Sequence, residues 1–508
     1  MLSTRPMIFW ALFLASHLGL FVFGFLKQKN DPELYILNAI GYSVYTSRGA
    51  GLVLAFDCAL ILLPVCKNII RIARSIANLG RWIPFDDNLY LHKWTAKSML
   101  FFTFVHVNAH YTNFFYVEQK LPSIKMKAWQ VHYTTFAGVT GHLMLVIMFL
   151  LFTATALQVR KLKFEIFWWV FLIAHEMRYT HHLYFPFFIL LFLHSYGCFV
   201  KSAVDGHCKG YNSNFFTIPA FLLYFVDRLV RVWRSREETQ ITNVIFHPGN
   251  TVEIRFEKPS FKYKPGQYLY LNIADISRFQ WHPFTVSSAP EEGFTSVHIR
   301  IAGDWTSELA DRLRNIKDAL SIPKLRVDGP YGAPAEDLFN YRVAALVSAG
   351  IGVTPAASLL KSVWFAYMRK APMKLEKLYF IWIAREKDDF EWFQSLLSTL
   401  EQSVPREFLD IQVYLTGKLC VDDIENIFLN DPLSNVDTIT ELNTRCQYGR
   451  PVWTSFFKSI RESQKFKGPT LNVGIFFCGP PLAGSALEKS ARLESSDQIK
   501  FKVHSENF

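Results

Sequence analysis

From Met7 to Leu26 the chain runs twenty residues without a charge, and that stretch removes most soluble folds from consideration. About twenty apolar residues in a helix match the hydrocarbon core of a bilayer. The stretch is too long for the apolar region of a signal peptide and lacks a small-residue cleavage site, so it reads as a retained membrane helix. Five more apolar stretches follow, approximately at residues 49–66, 95–117, 134–158, 179–200 and 214–231, which makes six spans. The composition agrees, with 50% of residues hydrophobic and 16% aromatic, above what a soluble domain carries. The excess lies in the first half of the chain.

Two pairs of histidines interrupt this apolar texture: His92 and His106 about the third span, His181 and His194 in the fifth. At 1.5 Å per residue their spacings of 14 and 13 place the members of each pair about 21 and about 20 Å apart. Two stacked hemes need roughly that separation, and paired imidazoles from facing helices hold heme iron in the six-coordinate form suited to passing electrons. Fourteen residues fall about 40° short of four turns, so His92 and His106 share a face. Thirteen leave His181 and His194 about 140° out of register on an ideal helix, which predicts a distortion with Pro186 as its cause. His182 is about 120° off, so geometry leaves His181 and His182 as alternatives. A single intramembrane histidine can serve only to bond a neighbouring helix, but four in this pattern favour heme, because polar groups in hydrocarbon are costly and mark function. By the same argument Asp57, in the second span, must be paired, neutral or beside a functional cavity.

Basic residues cluster at Lys67, Arg71, Arg74, Arg81 and Lys93, at Arg160, Lys161, Lys163 and Arg178, and at Arg228, Arg231, Arg234 and Arg236. With both termini cytoplasmic, all three clusters face the cytosol, as the positive-inside bias expects, although Lys120, Lys125 and Lys127 weaken it. This multi-pass topology, in contact with membrane lipid, puts His92 and His181 near the inner surface and His106 and His194 near the outer one. The net charge of +11 is then membrane-flanking and cofactor-facing, and nothing points to nucleic acid. Seven cysteines form no C-x-x-C pair, which argues against zinc or an iron–sulfur cluster. Cys198 and Cys208 fall on or near one outer loop, as a disulfide or as two free thiols. There is no N-glycosylation sequon and no EF-hand pattern.

From about residue 237 the pattern becomes short alternating runs, such as Thr251 to Phe256 and Ser296 to Ile301, expected as antiparallel strands of a β-barrel. After about Tyr341 apolar strands alternate with helices: Val343 to Ser348, Leu378 to Ala384, Leu409 to Leu415 and Val473 to Cys478. That order predicts a parallel sheet with crossover helices, with residues 416–470 as an insertion. The predicted architecture is a six-helix all-α membrane domain over residues 1–236, an antiparallel β-barrel domain over 237–340 and an α/β parallel-sheet domain over 341–508. His282, Pro283, Phe284 and Thr285 end a strand and precede Ser287 and Ser288, with His298 and Arg300 on the next strand. Together they offer the aromatic wall, hydroxyls and cation that a flavin needs. Gly350, Gly352 and Thr354 lie between a strand and a helix, where backbone amides can approach phosphates. Cys478, Gly479 and Pro480 close the last of the apolar strands, at the edge where such sheets bind ligands.

Taken in order, these strings resemble the NADPH oxidase family of superoxide-generating membrane flavocytochromes, in the ferric reductase superfamily. The resemblance runs through Cys58 to Cys66, His92 to His110, Tyr179 to His182, His282 to Pro290, His298 to Thr306, Asp328 to Gly332, Tyr448 to Pro451, Cys478 to Pro480 and Glu506 to Phe508. It implies a ferredoxin–NADP reductase-like unit behind the membrane domain and a path from cytosolic NADPH through FAD and two b-type hemes to oxygen outside. His92 and His181 would hold the inner heme and His106 and His194 the outer one, with Phe187 between them and Arg48 and His110 bordering the outer heme where oxygen is reduced. His282, Phe284, Thr285, His298 and Arg300 would hold FAD, with Pro283, Ser288 and Gly332 counted beside them, and Phe508 would cover the flavin ring. Gly350, Gly352, Thr354 and Cys478, with Gly479 and Pro480, would line the NADPH cleft, and Arg450 would meet the 2′-phosphate. Residues 169–178 look like an insertion against the family pattern. Such a resemblance allows two kinds of partner, cytosolic activator proteins and a small membrane subunit. The rival readings are a ferric or cupric reductase with the same electron path and a non-catalytic heme scaffold.

Overall fold

The computed structural model describes residues 4–76, 83, 88–120, 125–155, 181–197, 201–209, 213–278, 280–316, 322–419, 421, 424, 425, 427, 435–463 and 470–506. The chain forms two compact units, Met1–Arg228 and Leu229–Phe508. The main helices of the first are α1 (Thr4–Asn30), α2 (Tyr42–Leu60), α3 (Asn88–Lys120), α4 (Phe136–Thr155) and α5 (Tyr184–Tyr196), and α6 (Asn214–Ser235) follows. A helix thus overlies every apolar stretch of the sequence. Those over Met7–Asn30, Tyr42–Val65 and Phe136–Thr153 are long and apolar enough to cross a membrane by length and composition. Their apolar side chains also point outward, Leu14, Leu18 and Phe149 being 64–65% exposed, as lipid-facing residues must be. Helices α1 and α2 cross at glycine: a Cβ on Gly24 would lie 3.0 Å from the Gly49 Cα, the close approach that small residues permit between membrane helices.

The fifth helix corrects one expectation. Pro186 is its third residue, within the first turn, where a missing N–H costs nothing. The distortion lies earlier, in a 3₁₀ turn over His181, His182 and Leu183. Three residues at about 120° instead of 100° take up about 60° of the mismatch between His181 and His194. Cys208 is disulfide-bonded, and Cys198 and residues 169–178 lie outside the described residues.

The second unit begins with two three-stranded antiparallel sheets, β1-β2-β5 and β4-β3-β6, formed by β1 (Gln240–His247), β2 (Thr251–Glu257), β3 (Tyr268–Ile273), β4 (His282–Thr285), β5 (Thr295–Arg300) and β6 (Leu325–Tyr331). A bridge from Val286 to Val297 joins the sheets. Alternation along the strands sends Ile254, Leu269, Leu271, Val297 and Ile299 into one shared core, capped by Trp305 and Leu309 of α7 (Asp304–Arg314).

A six-stranded sheet of order β10-β9-β8-β7-β11-β12 follows, parallel throughout. Its strands are β7 (Val343–Ala349), β8 (Lys377–Ala384), β9 (Leu409–Leu415), β10 (Gln447–Tyr448), β11 (Leu471–Cys478) and β12 (Ile499–Glu506). Helices α8 (Thr354–Met368), α9 (Glu391–Ser403), α10 (Trp453–Ser463) and α11 (Pro481–Glu494) make the crossovers, and the strands, covered on both faces, read as continuous apolar runs. Residues 416–470 are therefore not a simple insertion: they supply the edge strand β10 and the whole of α10, whose Phe456, Phe457 and Ile460 fill the core over β11. A two-residue strand has no periodicity for the sequence to display.

Candidate functional site

In the first unit, the rings of His92 and His181 stand 6.3 Å apart, centre to centre. Two imidazole nitrogens bound at about 2 Å to opposite sides of one metal put their rings about 6 Å apart, so the pair fits a shared six-coordinate iron. The Nδ1 of His92 donates to the carbonyl of Ile61, the residue that follows α2, at 2.9 Å, at a helix end where carbonyls lack intrahelical partners. On α3, fourteen residues on, the His106 Nδ1 donates to the Ser47 carbonyl, also at 2.9 Å. That carbonyl is open because Gly51 lies one turn on: a Cβ there would sit 3.3 Å from the His106 ring. The His194 Nδ1 meets the Thr140 hydroxyl at 2.9 Å, whose hydrogen goes to the Phe136 carbonyl at 2.7 Å. Gly141 clears that ring in the same way, a Cβ falling 3.5 Å from it. In three of the four histidines the Nδ1 therefore carries the proton and Nε2 keeps the lone pair, the tautomer in which imidazole ligates metal.

Two of the other residues predicted for this unit, Arg48 and His110, gather by His106 and His194. The His110 ring lies 4.4 Å from that of His106, its Nδ1 buried without a hydrogen-bond partner among the described residues. Arg48, which follows Ser47, is near enough for its charge to act on His106, His110 and His194. Phe187 is buried with Phe188, Met99 and Cys58.

In the second unit, strand β4 carries His282, Pro283, Phe284 and Thr285, and Trp305 was missed as part of their surroundings. The His282 ring stacks on it at 4.1 Å and Phe284 lies parallel to it at 6.1 Å. The only sequence signal for Trp305 was its place in the string His298 to Thr306. Ser288 is fully buried and bonded to the Tyr263 hydroxyl at 2.7 Å. Arg300, exposed at the end of β5, lies against the glycine loop of the parallel sheet, its Nη1 4.0 Å from where a Gly350 Cβ would be. His298 lies on β5. Its Nδ1 meets the Ser287 hydroxyl at 2.7 Å, its Nε2 lies 3.6 Å from Glu253, and its ring stacks on Trp392 at 4.3 Å. Both ring nitrogens thus face protein atoms, and burial pushes the imidazole down to about 3, so it is neutral at physiological pH. Gly332 follows β6, where Asp328 is bonded by Arg231 at 2.7 Å and Arg234 at 2.5 Å. Burial works to raise its carboxyl, but the two guanidinium groups hold it below the ordinary range.

The parallel sheet reverses its order between β7 and β11, and ligands bind such sheets at that switch point, beyond the carboxyl ends of the strands. Gly350, Gly352 and Thr354 follow β7, and Cys478, Gly479 and Pro480 close β11. A cleft there is lined by Ser348, Gly352, Pro355, Cys478, His504 and Glu506. Gly350 has φ +56°, a conformation that favours glycine, and leads into helix α8, whose N-terminal amides suit a phosphate. Burial, with the charge of Glu506 adding to it, pushes the Cys478 thiol up, so it stays protonated. Arg450 is exposed just beyond β10, at the carboxyl end of the same sheet. Phe508 lies outside the described residues.

Known families match along the chain in the same order. A ferric reductase-like transmembrane component matches residues 50–192, an FAD-binding domain residues 236–335 and a ferric reductase NAD-binding domain residues 341–492. A superoxide-generating NADPH oxidase heavy chain of Dictyostelium discoideum is 35% identical, the match covering 99% of this chain and 97% of that protein. Rat NADPH oxidase 1 is 33% identical over 98% of each chain, and human NADPH oxidase 3 is 33% identical over all of this chain and 98% of its own. With full-length relatives at this identity and heme, flavin and nucleotide sites in one order, the chain belongs to the NADPH oxidase family.

Proposed function

We propose that this membrane oxidoreductase carries electrons from cytosolic NADPH across the bilayer to oxygen, producing superoxide on the far side. When bound, FAD converts the hydride of NADPH into single electrons, and two b-type hemes relay them outward. The residues act by holding and orienting. His92 and His181 hold the inner heme and His106 and His194 the outer one, while Phe187 fills the space between. The outer heme, held by two histidines, would supply the electron to oxygen, and Arg48 would stabilise the forming anion with His110 assisting.

His282, Pro283, Phe284, Thr285, Ser288, Arg300 and Gly332 hold FAD, His298 acting through Ser287, and Phe508 covers the flavin ring. Gly350, Gly352, Thr354, Cys478, Gly479 and Pro480 line the NADPH cleft, with Arg450 on the 2′-phosphate. In chain order the proposed parts are six spans with both termini cytoplasmic, an antiparallel barrel over 237–340 and a nucleotide domain over 341–508. The proposed assembly is completed by cytosolic activator proteins and a small membrane subunit.

What supports this reading most is the separation of His92 and His181, with Nδ1 tied to an oxygen at His92, His106 and His194. The test is a reduced-minus-oxidised heme spectrum and a superoxide dismutase-sensitive cytochrome c assay on the purified protein and on His106→Leu. The variant should lose one of two hemes and all oxygen reduction. Unchanged heme content overturns the ligand assignment, and a dismutase-insensitive Fe(III) reduction in the wild type overturns oxygen as acceptor.

A further inference from the structure

Asp57, on α2 inside the apolar unit, is fully buried, and both of its oxygens are engaged. The His17 Nε2 of α1 lies 2.8 Å from Oδ1, and the Ser98 hydroxyl of α3 donates to Oδ2 at 2.7 Å. His17, 5% exposed, donates from Nδ1 to the Phe13 carbonyl at 2.5 Å. The proton between Nε2 and Oδ1 leaves the trio without net charge whichever atom holds it, and the rings of Phe13, Phe56 and Phe102 surround His17. In such a setting water cannot replace a lost bond, so the geometry is enforced.

Three bonds of α3 to α2 fall in antiparallel register, beside a further one from the Asn113 amide to the Ser47 hydroxyl at 3.2 Å. Ser47 takes His106, Asp57 takes Ser98 and Ile61 takes His92. Fourteen residues along α2, from Ser47 to Ile61, answer the fourteen back along α3 from His106 to His92. Two of these contacts are made by the proposed heme ligands themselves. The third, between them, is made by groups with no part in ligation, and it is the one tied to α1.

We propose that Asp57 is a positioning residue for electron transfer: held by His17, it anchors Ser98 and so sets the depth of α3, and with it both ligand histidines of that helix, against α2. The proposal rests on the heme reading above and adds to it a strut that neither heme touches. Without the strut, α3 can slide against α2, and the Nδ1 bonds of His92 and His106 loosen together.

The test compares Asp57→Leu, Asp57→Asn and Ser98→Ala with wild type in the purified full-length protein. It reads heme content, the two midpoint potentials, the low-spin ferric spectrum, superoxide rate and the KM for NADPH. Asp57→Leu should shift both potentials and the ferric signals and lower the superoxide rate by about tenfold or more, as small misplacement of reacting groups does. NADPH-driven flavin reduction and KM should not change. Asp57→Asn, which can still bond both neighbours, should restore wild-type values. Ser98→Ala deletes only the bond to α3 and should shift both potentials in the same direction, so it carries the test if Asp57→Leu fails to assemble. Unshifted potentials in Ser98→Ala, or an Asp57→Asn as impaired as Asp57→Leu, overturn the strut. A wild type without heme would instead count against the functional reading.

Discussion

Gly352 lies so close to Cys478 that a Cβ on it would fall 2.5 Å from the cysteine's carbonyl oxygen and 2.9 Å from its carbonyl carbon. Both are backbone atoms that no rotamer change can move. Gly352→Ala should therefore push the ends of β7 and β11 apart at the nucleotide cleft, at the cost of about 1–3 kcal/mol that overpacking carries. The expected outcome is a KM for NADPH raised by about tenfold or more with FAD content unchanged, checked by steady-state kinetics and flavin-to-protein ratio.

Thr140→Val keeps the shape of the side chain but removes the hydroxyl that accepts from the His194 Nδ1, leaving the Ala137 carbonyl as its neighbour. Losing the group that orients a ligating histidine weakens metal affinity by about 10–100-fold. The outer heme should wash out of the purified variant while the inner one stays, which the heme-to-protein ratio after prolonged dialysis will show.

Asp328→Ala should destabilise the flavin-binding part of the chain without altering any group in the proposed flavin contact. The carboxylate is 2% exposed and balances Arg231 and Arg234, themselves 12% and 16% exposed. Removing one partner of a buried pair costs about 3–5 kcal/mol, because the charge left behind has no counterion. FAD fluorescence on heating should report release several degrees below wild type.

The His298 imidazole predicts a pH dependence of defined sign. Burial holds it near about 3 in the folded chain against 6.5 for the free group. Above pH 6.5 it is neutral in both states and stability is complete. Between 6.5 and 3 only the unfolded chain takes up the proton, so stability falls by about 1.4 kcal/mol per pH unit. The unfolding temperature should drop from pH 7 to pH 5, and His298→Asn should make that slope shallower. Glu253, which burial works to raise but His247 and Arg255 hold down at about 2, adds its own loss only below 4.5.

Chemistry written in side chains of fixed spacing was legible from the sequence. The His282 to Thr285 string lies on a strand, the Gly350 loop joins a strand to a helix, and the strands after Tyr341 are parallel. What could not be read was chemistry supplied by the backbone or by distant positions. The acceptors of His92 and His106 are main-chain carbonyls, which every residue possesses. The partner of Asp57 lies forty residues earlier, and its choice depends on how α1 crosses α2. Pro186 is the one residue between His181 and His194 that marks a distortion in the sequence, whereas the 3₁₀ turn over His181, His182 and Leu183 carries no such mark. Neither Trp305 nor β10 had a signal of its own: one needed the neighbouring ring in place, the other a ladder to join.

The matched interval from Ser47 to Ile61 has a consequence for what this segment can tolerate. One residue inserted within it would rotate one acceptor carbonyl by about 100° relative to the other and advance it by about 1.5 Å, so at least one imidazole would lose its partner. A substitution there acts only through the side chain it changes, whereas a change in length moves the two acceptor carbonyls relative to each other. Insertions and deletions should be disabling anywhere between Ser47 and Ile61, even where the added residue is alanine and the helix itself remains intact.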